Sequence, residues 1–246
     1  MNIDLNSDLG ESFGRYTLGD DAALMPHITS ANIACGFHAG DPSVMQATVR
    51  LAKQFGVAVG AHPGWDDLPG FGRREITVSV DEAEALVLYQ IGALSAFAKA
   101  EGVDLRHVKP HGALYNQAAA DRVLAEAVAR AVKRFSRELI LVGLAGSPLI
   151  EAGLSLGLRV AHEAFPDRAY SPDGTLLSRK LPGAVIENPA EVAEHAVTLA
   201  SDGIRFGGKI ILPDTLCLHG DNLHAAENAR MIRKVLKEKG IDVRAL

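Results

Sequence analysis

The run His107-Val108-Lys109-Pro110-His111-Gly112 decides how the rest of the chain is read. It is a short β-type segment that hands a lysine and a histidine to a proline and a glycine. Chemistry therefore sits at its C-terminal end, where the chain must turn. The same grammar recurs in Ala34-Cys35-Gly36-Phe37-His38-Ala39-Gly40-Asp41, Gly60-Ala61-His62-Pro63-Gly64, His162-Glu163-Ala164-Phe165 and Cys217-Leu218-His219-Gly220-Asp221. Five of the nine histidines, His38, His62, His111, His162 and His219, occupy such ends.

Working outward, short β-type runs alternate with longer segments of helical period, the pattern of parallel strands joined by crossover helices. Strands are predicted over residues 2–8, 31–37, 57–62, 107–111, 139–144, 158–165 and 215–219. Val44, Thr48, Leu51 and Phe55 fall on one helical face, as do Leu86, Ala93, Phe97 and Ala100. Ser79 with Glu82 forms a capping box, and Asn188-Pro189 and Ser147-Pro148 each place a cap before a proline. A last helix over 222–239 ends at Gly240, leaving 241–246 for a short terminal strand.

An open doubly wound sheet and a closed barrel both satisfy this alternation. Polar groups gathered at many strand ends favour the barrel, whose C-terminal rim collects catalytic groups from different strands. The expectation is one α/β domain over residues 1–246, a (β/α) barrel of about seven parallel strands.

Composition narrows the function. With 25 Lys+Arg against 30 Asp+Glu the formal charge is −5, which argues against a nucleic-acid or polyanion binder. No apolar run approaches the roughly 20 residues that span a bilayer, and no signal region opens the chain. Cys35 and Cys217, far apart in a chain large enough to need no staple, read as buried free thiols of a reducing cytoplasm.

Asp4, Asn6 and Asp8 alternate on the first strand and share a face, where apolar residues are expected. Asp4 and His107, at strand starts, read as structural, Asp4 by satisfying backbone donors at the barrel floor. Asp8, at the strand end, reads as functional. His162 and Glu163 point to opposite faces, so at most one meets the site. Nitrogen and carboxylate groups such as Asp8, His38, His62 and His111, or Cys217, His219 and Asp221, suit zinc or manganese. No HExxH, paired CxxC or close His-x-His spacing supports a metal, so a divalent ion stays open. No Walker-type or dinucleotide glycine loop occurs, so any ATP is bound without a P-loop or through partner chains. The long segment 65–75 offers Arg73 and Arg74 to an anionic ligand, with a surface ion pair as the alternative for at least one of the two. A second, 166–182, carries Asp167, Arg168, Tyr170 and Arg179 and reads as a lid or contact surface, or else a disordered insertion.

The ordered runs DLNSDLGESFG (4–14), SANIACGFHAGDP (30–42), VGAHPGW (59–65), GFGRRE (70–75), HVKPHGALYN (107–116), EAFPDRAYSPDGTLLSR (163–179) and CLHGDN (217–222) strongly resemble the LamB/YcsF family over nearly the whole chain. Ser7 and Trp65 depart from the residues expected in relatives, Cys and Tyr. The resemblance implies a barrel related to the glycoside hydrolase/deacetylase-like barrels. It also implies ATP-dependent opening of the lactam 5-oxo-L-proline to L-glutamate, shared with two further subunits, B and C, of a 5-oxoprolinase.

Roles for that chemistry follow from residue type. Asp8 or Asp41 is expected as general base, with His38, His62 and His111 positioning water or shuttling protons. Lys109 is expected to neutralise the amide oxygen or a phosphate. Arg73 is expected to grip the substrate carboxylate, and Asn6, Glu163, His219 and Asp221 to complete the substrate site. Two rivals remain open: a metal-dependent deacetylase or amidohydrolase working without ATP, and a non-catalytic component that captures the lactam for its partners.

Overall fold

The computed structural model describes residues 1–177, 181–220 and 224–246. Its centre is a closed ring of seven parallel strands: β1 (Asn2–Leu9), β2 (Ser30–Ala34), β3 (Ala58–His62), β4 (Leu105–Val108), β5 (Ile140–Leu144), β6 (Arg159–Ala164) and β9 (Thr215–Leu218). Each pairs with the next, and β9 closes the ring by pairing with both β6 and β1. A terminal β10 (Asp242–Val243) adds to the start of β1, where a short strand is expected. The predicted barrel is therefore present, and all seven predicted strands overlap the observed ones.

Helices cross outside the ring: α1 (Asp21–Leu24), α2 (Pro42–Phe55), α3 (Val80–Ala100), α4 (Gly112–Ala118), α5 (Arg122–Phe135), α6 (Pro148–Ser155), α7 (Pro189–Asp202) and α8 (Ala225–Glu238). Among the described residues, no helix is long and apolar enough to cross a membrane. The capping box forms at α3, where Ser79 N donates to Glu82 Oε2 (2.9 Å) and Glu82 N to Ser79 Oγ (3.3 Å). Asn188 caps α7, whereas the Ser147 side chain makes no capping bond although α6 starts at Pro148 as expected.

Several details differ from the sequence expectation. On α2 the buried face is Met45, Thr48, Val49 and Ala52, and Phe55 is 43% exposed. On α3 it is Ala83, Val87, Ile91, Leu94 and Ala98, and the predicted stripe forms its flank. Both helices carry apolar residues on more than one side, so periodicity alone selects the wrong face. The ladder with β3 runs on past β4 through Lys109 N to Ala61 O (2.9 Å) and His111 N to Pro63 O (2.8 Å), but Pro63 and Pro110 carry no N–H, and the regular strand ends at Val108. A hairpin that the strand pattern misses, β7 (Ile204–Phe206) with antiparallel β8 (Lys209–Ile211), turns on Gly207 and Gly208. Both glycines have positive φ, 54° and 78°, the backbone such two-residue hairpin turns require.

The barrel interior is polar along one line. Asp4, on β1, accepts from the hydroxyls of Thr29 (2.7 Å), Ser30 (2.7 Å) and Thr215 (2.5 Å). Asp4 is thus structural, as expected, but it is held by side-chain hydroxyls rather than backbone donors. His107 also serves packing. Its ring fills the space beside Gly60, where a Cβ would stand 2.0 Å from Nε2, and it bonds to Asn32 at 2.7 Å. The strand begins at Leu105, so His107 sits mid-strand inside the ring rather than at its start.

Candidate active site

At the C-terminal end of the ring the strand ends surround a cleft of about 630 Å³. Asp8, His62, Lys109, His111, Phe165 and His219 line it, with Arg73 reaching in from the loop after β3. The described part of the segment after β6 forms a wall of the cleft. Within it, Ala169 N donates to Ala184 O (3.1 Å), Leu177 N to Ala169 O (2.9 Å) and Arg168 Nη2 to Leu177 O (2.6 Å). Thr175, Leu176 and Leu177 thereby face the cleft.

Lys109 is the centre of charge. Its buried ammonium lies 2.9 Å from Asp8 Oδ1, 3.1 Å from Glu163 Oε1 and 2.8 Å from Cys217 Sγ. Burial works against the charged form, yet the neighbours Asp8, Cys217 and Glu163 raise Lys109 well above the usual lysine range. Burial likewise opposes ionisation of Asp8, but His62 and Lys109 hold its carboxyl well below the usual range. Cys217 is therefore more than a small buried hydrophobe. Burial pushes both thiols up, Cys35 to about 12.

Asn6 ties these groups together. Its Nδ2 donates to Glu163 Oε1 (3.0 Å) and Thr215 Oγ1 (2.6 Å), and its Oδ1 accepts from Asn32 (2.7 Å), which also donates to Asp8 (2.9 Å). Glu163 faces the interior and the half-buried His162 does not, which settles their opposite orientation. Burial first, then the Glu163 carboxylate, pushes the Tyr115 phenol well up; among the described residues Tyr115 Oη and Glu163 Oε2 complete no well-aligned hydrogen bond.

On the other side of Asp8 stands a histidine cluster. His38 stacks on His111 with ring centroids 3.7 Å apart, and both stand edge-on to His62. His62 Nε2 is 3.4 Å from Asp8 Oδ2 and 3.0 Å from His111 Nδ1. Burial lowers His38 far below the usual histidine range and His111 to about 3. Glycines make the cluster possible. A Cβ at Gly72 (φ +62°) would stand 2.6 Å from His38 Cβ and 2.9 Å from His111 Cδ2.

The structure brings together Asn6, Asp8, His38, His62, Lys109, His111 and Glu163, with Arg73 and His219 at the rim. His219 Nδ1 is 2.7 Å from Asp167 Oδ2, and its ring stacks on Phe165. Arg74 instead pairs with Asp67, so of these two arginines it is Arg73 that lines the cleft, together with Arg168 from the segment after β6. Asp41 stands apart. Its carboxylate caps α2 through Ser43 N (2.8 Å) and Val44 N (3.0 Å) and receives Gly14 N (2.8 Å). Asp221 and Arg179 lie outside the described residues. Glu11, which residue-type reasoning passes over, joins the histidines 3.4 Å from His38 Nε2. Its signal is its place three residues beyond Asp8, in the turn that leaves β1.

A closed parallel barrel whose strand ends converge on a buried lysine, carboxylates and imidazoles defines an enzyme-type α/β-barrel protein. The LamB/YcsF family model matches residues 3–246, and the chain belongs to that family. It is 56% identical to the A subunit of 5-oxoprolinase from Pyrococcus abyssi, over 99% of this chain and 97% of that one. It is 57% identical to the protein of the same name from Symbiobacterium thermophilum, over 99% and 95%. The crystal structure of the lactam utilization protein from Thermus thermophilus superposes with a TM-score of 0.93 at 50% identity, covering all of both chains. The catalytic domain of a peptidoglycan N-acetylglucosamine deacetylase from Eubacterium rectale, at 11% identity and TM-score 0.52, shares the fold.

Proposed function

We propose that this chain is the A subunit of an ATP-dependent 5-oxoprolinase and that its cleft is where the lactam 5-oxo-L-proline is held and opened to L-glutamate. The observation that carries the reading is the buried Lys109, fixed by Asp8 and Glu163 at the cleft, in a chain similar end to end to proteins named as the A subunit of 5-oxoprolinase.

A lactam is a resonance-stabilised amide, so its opening needs an activated carbon. Transfer of the γ-phosphoryl group of ATP to the lactam oxygen makes that carbon electrophilic. Water adds there, the ring C–N bond breaks as the nitrogen takes a proton, and a second water releases phosphate from the resulting acyl phosphate. This chain's residues serve the charge that develops. Lys109 faces the lactam or phosphate oxygen, and the thiol of Cys217, its weakest acceptor, is the partner a ligand oxygen replaces. Arg73 grips the substrate carboxylate in a charge-assisted fork. Asp8, held as a strongly acidic carboxylate, is a poor proton acceptor near neutrality, so its part is to orient Lys109 and His62. ATP enters through contact with subunits B and C, consistent with the lack of a glycine-rich phosphate loop in the sequence.

The test is glutamate release from 5-oxoproline and ATP, with the purified chain by itself and added to an extract of its host lacking this gene. Activity restored only in the supplemented extract supports the reading of one component among several. No glutamate in an extract whose B and C subunits are present and competent overturns it.

A further inference from the structure

Glu11, His38, His62 and His111 bring one carboxylate oxygen and three ring nitrogens within 4.8 Å of one another, all in buried positions. The placement of protons shows why this matters. His62 Nδ1 is 2.7 Å from the Lys109 carbonyl oxygen, and His111 Nε2 is 2.9 Å from that of Phe71. A carbonyl only accepts, so each of these nitrogens carries a proton. Unless one ring carries a second proton, the two remaining nitrogens, His62 Nε2 and His111 Nδ1, turn lone pairs toward each other at 3.0 Å. Such a contact repels unless a cation lies against both.

His38 supplies an independent observation. It is fully buried, and among the described residues neither of its ring nitrogens has a hydrogen-bond partner. An imidazole desolvated on both nitrogens costs stability unless something binds it. Gly64 and Gly72 leave room for its ring, where a Cβ would come within 2.7 Å of Nδ1 and 2.6 Å of Cβ. Nε2 is thereby directed to Glu11, 3.4 Å from Oε1, and the same oxygen is 3.6 Å from His111 Nδ1.

Tetrahedral zinc, with ligands at about 2.0–2.2 Å, sets neighbouring ligand atoms roughly 3.3 Å apart. Three of the six edges here, 3.0, 3.4 and 3.6 Å, bracket that spacing, and all six lie within 4.8 Å. Three imidazoles and a carboxylate also match the ligand preference of zinc rather than of magnesium or calcium.

We propose that Glu11 Oε1, His38 Nε2, His62 Nε2 and His111 Nδ1 form a binding site for one zinc-class divalent ion beside the cleft. The hydrogen bonds from His62 and His111 to backbone carbonyls are the outer contacts that orient metal-bound imidazoles. With all four tetrahedral positions taken by protein groups, such an ion, when bound, would hold the histidine cluster together beside the cleft as closed zinc sites do. The inference goes beyond the lactam reading and does not depend on it, because binding is read on the ion itself.

The full chain, stripped with a chelator and dialysed, is titrated with Co²⁺ while the visible absorption of bound cobalt is followed, and then reloaded with Zn²⁺ for elemental analysis. The expected result is one ion per chain. His38→Gln is expected to weaken binding by more than about a hundredfold, since even outer contacts to a metal ligand are worth 10–100-fold. The exposed-site variant His224→Gln should bind as the parent does. Circular dichroism and melting confirm that each variant is folded, and Glu11→Gln, isosteric with the parent, replaces His38→Gln if the latter is not. Absence of stoichiometric uptake, or uptake unchanged in His38→Gln and Glu11→Gln, overturns the site and leaves a shared proton to account for the contact between His62 and His111.

Discussion

The Lys109 ammonium, delivered by the turn after β4, lies 2.9 Å from the Asp8 carboxylate at the end of β1. Two strands that are not neighbours in the ring thus meet through opposite charges at the mouth of the barrel. Glu163 from β6 adds a second carboxylate at 3.1 Å. The pairing aligns the fold with the chemistry, because the same contact that satisfies two buried charges also fixes a cation where an anion develops.

Removing that cation leaves two buried carboxylates without it. Lys109→Met is therefore expected to lose about 3–5 kcal/mol of stability, the usual cost of breaking a buried pair from one side. Urea unfolding followed by circular dichroism measures it; a midpoint equal to that of the parent contradicts the description of Lys109 as desolvated and fully engaged.

Arg73, in contrast, is exposed and reaches the cleft from a loop. Arg73→Ala is expected to raise KM for 5-oxoproline roughly 10- to 100-fold in the assembled enzyme, the equivalent of one charge-assisted hydrogen bond of about 1.5–3 kcal/mol. The melting temperature should not move. Steady-state kinetics on the complex decides between this and an unchanged KM.

Far from the cleft, Glu84 on α3 receives Arg130 Nε (2.9 Å) and Arg134 Nη1 (2.6 Å) of α5. Hydrogen bonds from Arg134 and Arg130 hold its carboxyl below the usual range. The folded value lies below the unfolded one, so this stabilisation is complete above the ordinary glutamate value of about 4.3 and disappears as pH falls through the folded value. Glu84→Gln should cost roughly 1 kcal/mol at pH 7, or about 2–4 °C in Tm for a chain of this size. Thermal melts at stepped pH should show the gap between the two proteins closing below about pH 4.

How much of this is written in the sequence depends on the kind of signal. The ring of strands is legible because each β-type run ends in Gly or Pro beside a polar residue, as in Lys109-Pro110-His111-Gly112. Asp8, Lys109 and His111 announce themselves by type and place. Asp41 has the same credentials and serves instead as a helix cap, because Ser43 and Val44 offer it backbone donors that sequence spacing does not rank against a catalytic role. Glu11 is hidden for the opposite reason. It follows the strand rather than ending it, and the parallel pairing of β1 with β2 brings it to His38 on the next strand's turn. The buried faces of α2 and α3 stay ambiguous because alanines and leucines surround both helices. The Gly207-Gly208 hairpin is legible in its turn residues, but its flanking runs are only three residues each.

The most direct test of the central claim, that this cleft is where the lactam is opened, is the kcat/KM for glutamate formation by the assembled enzyme carrying Asp8→Asn. The substitution keeps the shape but turns one acceptor oxygen into a donor and removes the charge that orients Lys109 and His62. The account predicts a fall of about 10²–10³, the scale of losing a fixed electrostatic partner, in a complex that still assembles. Full activity in that complex would contradict it and reduce the barrel to a carrier of substrate for its partners.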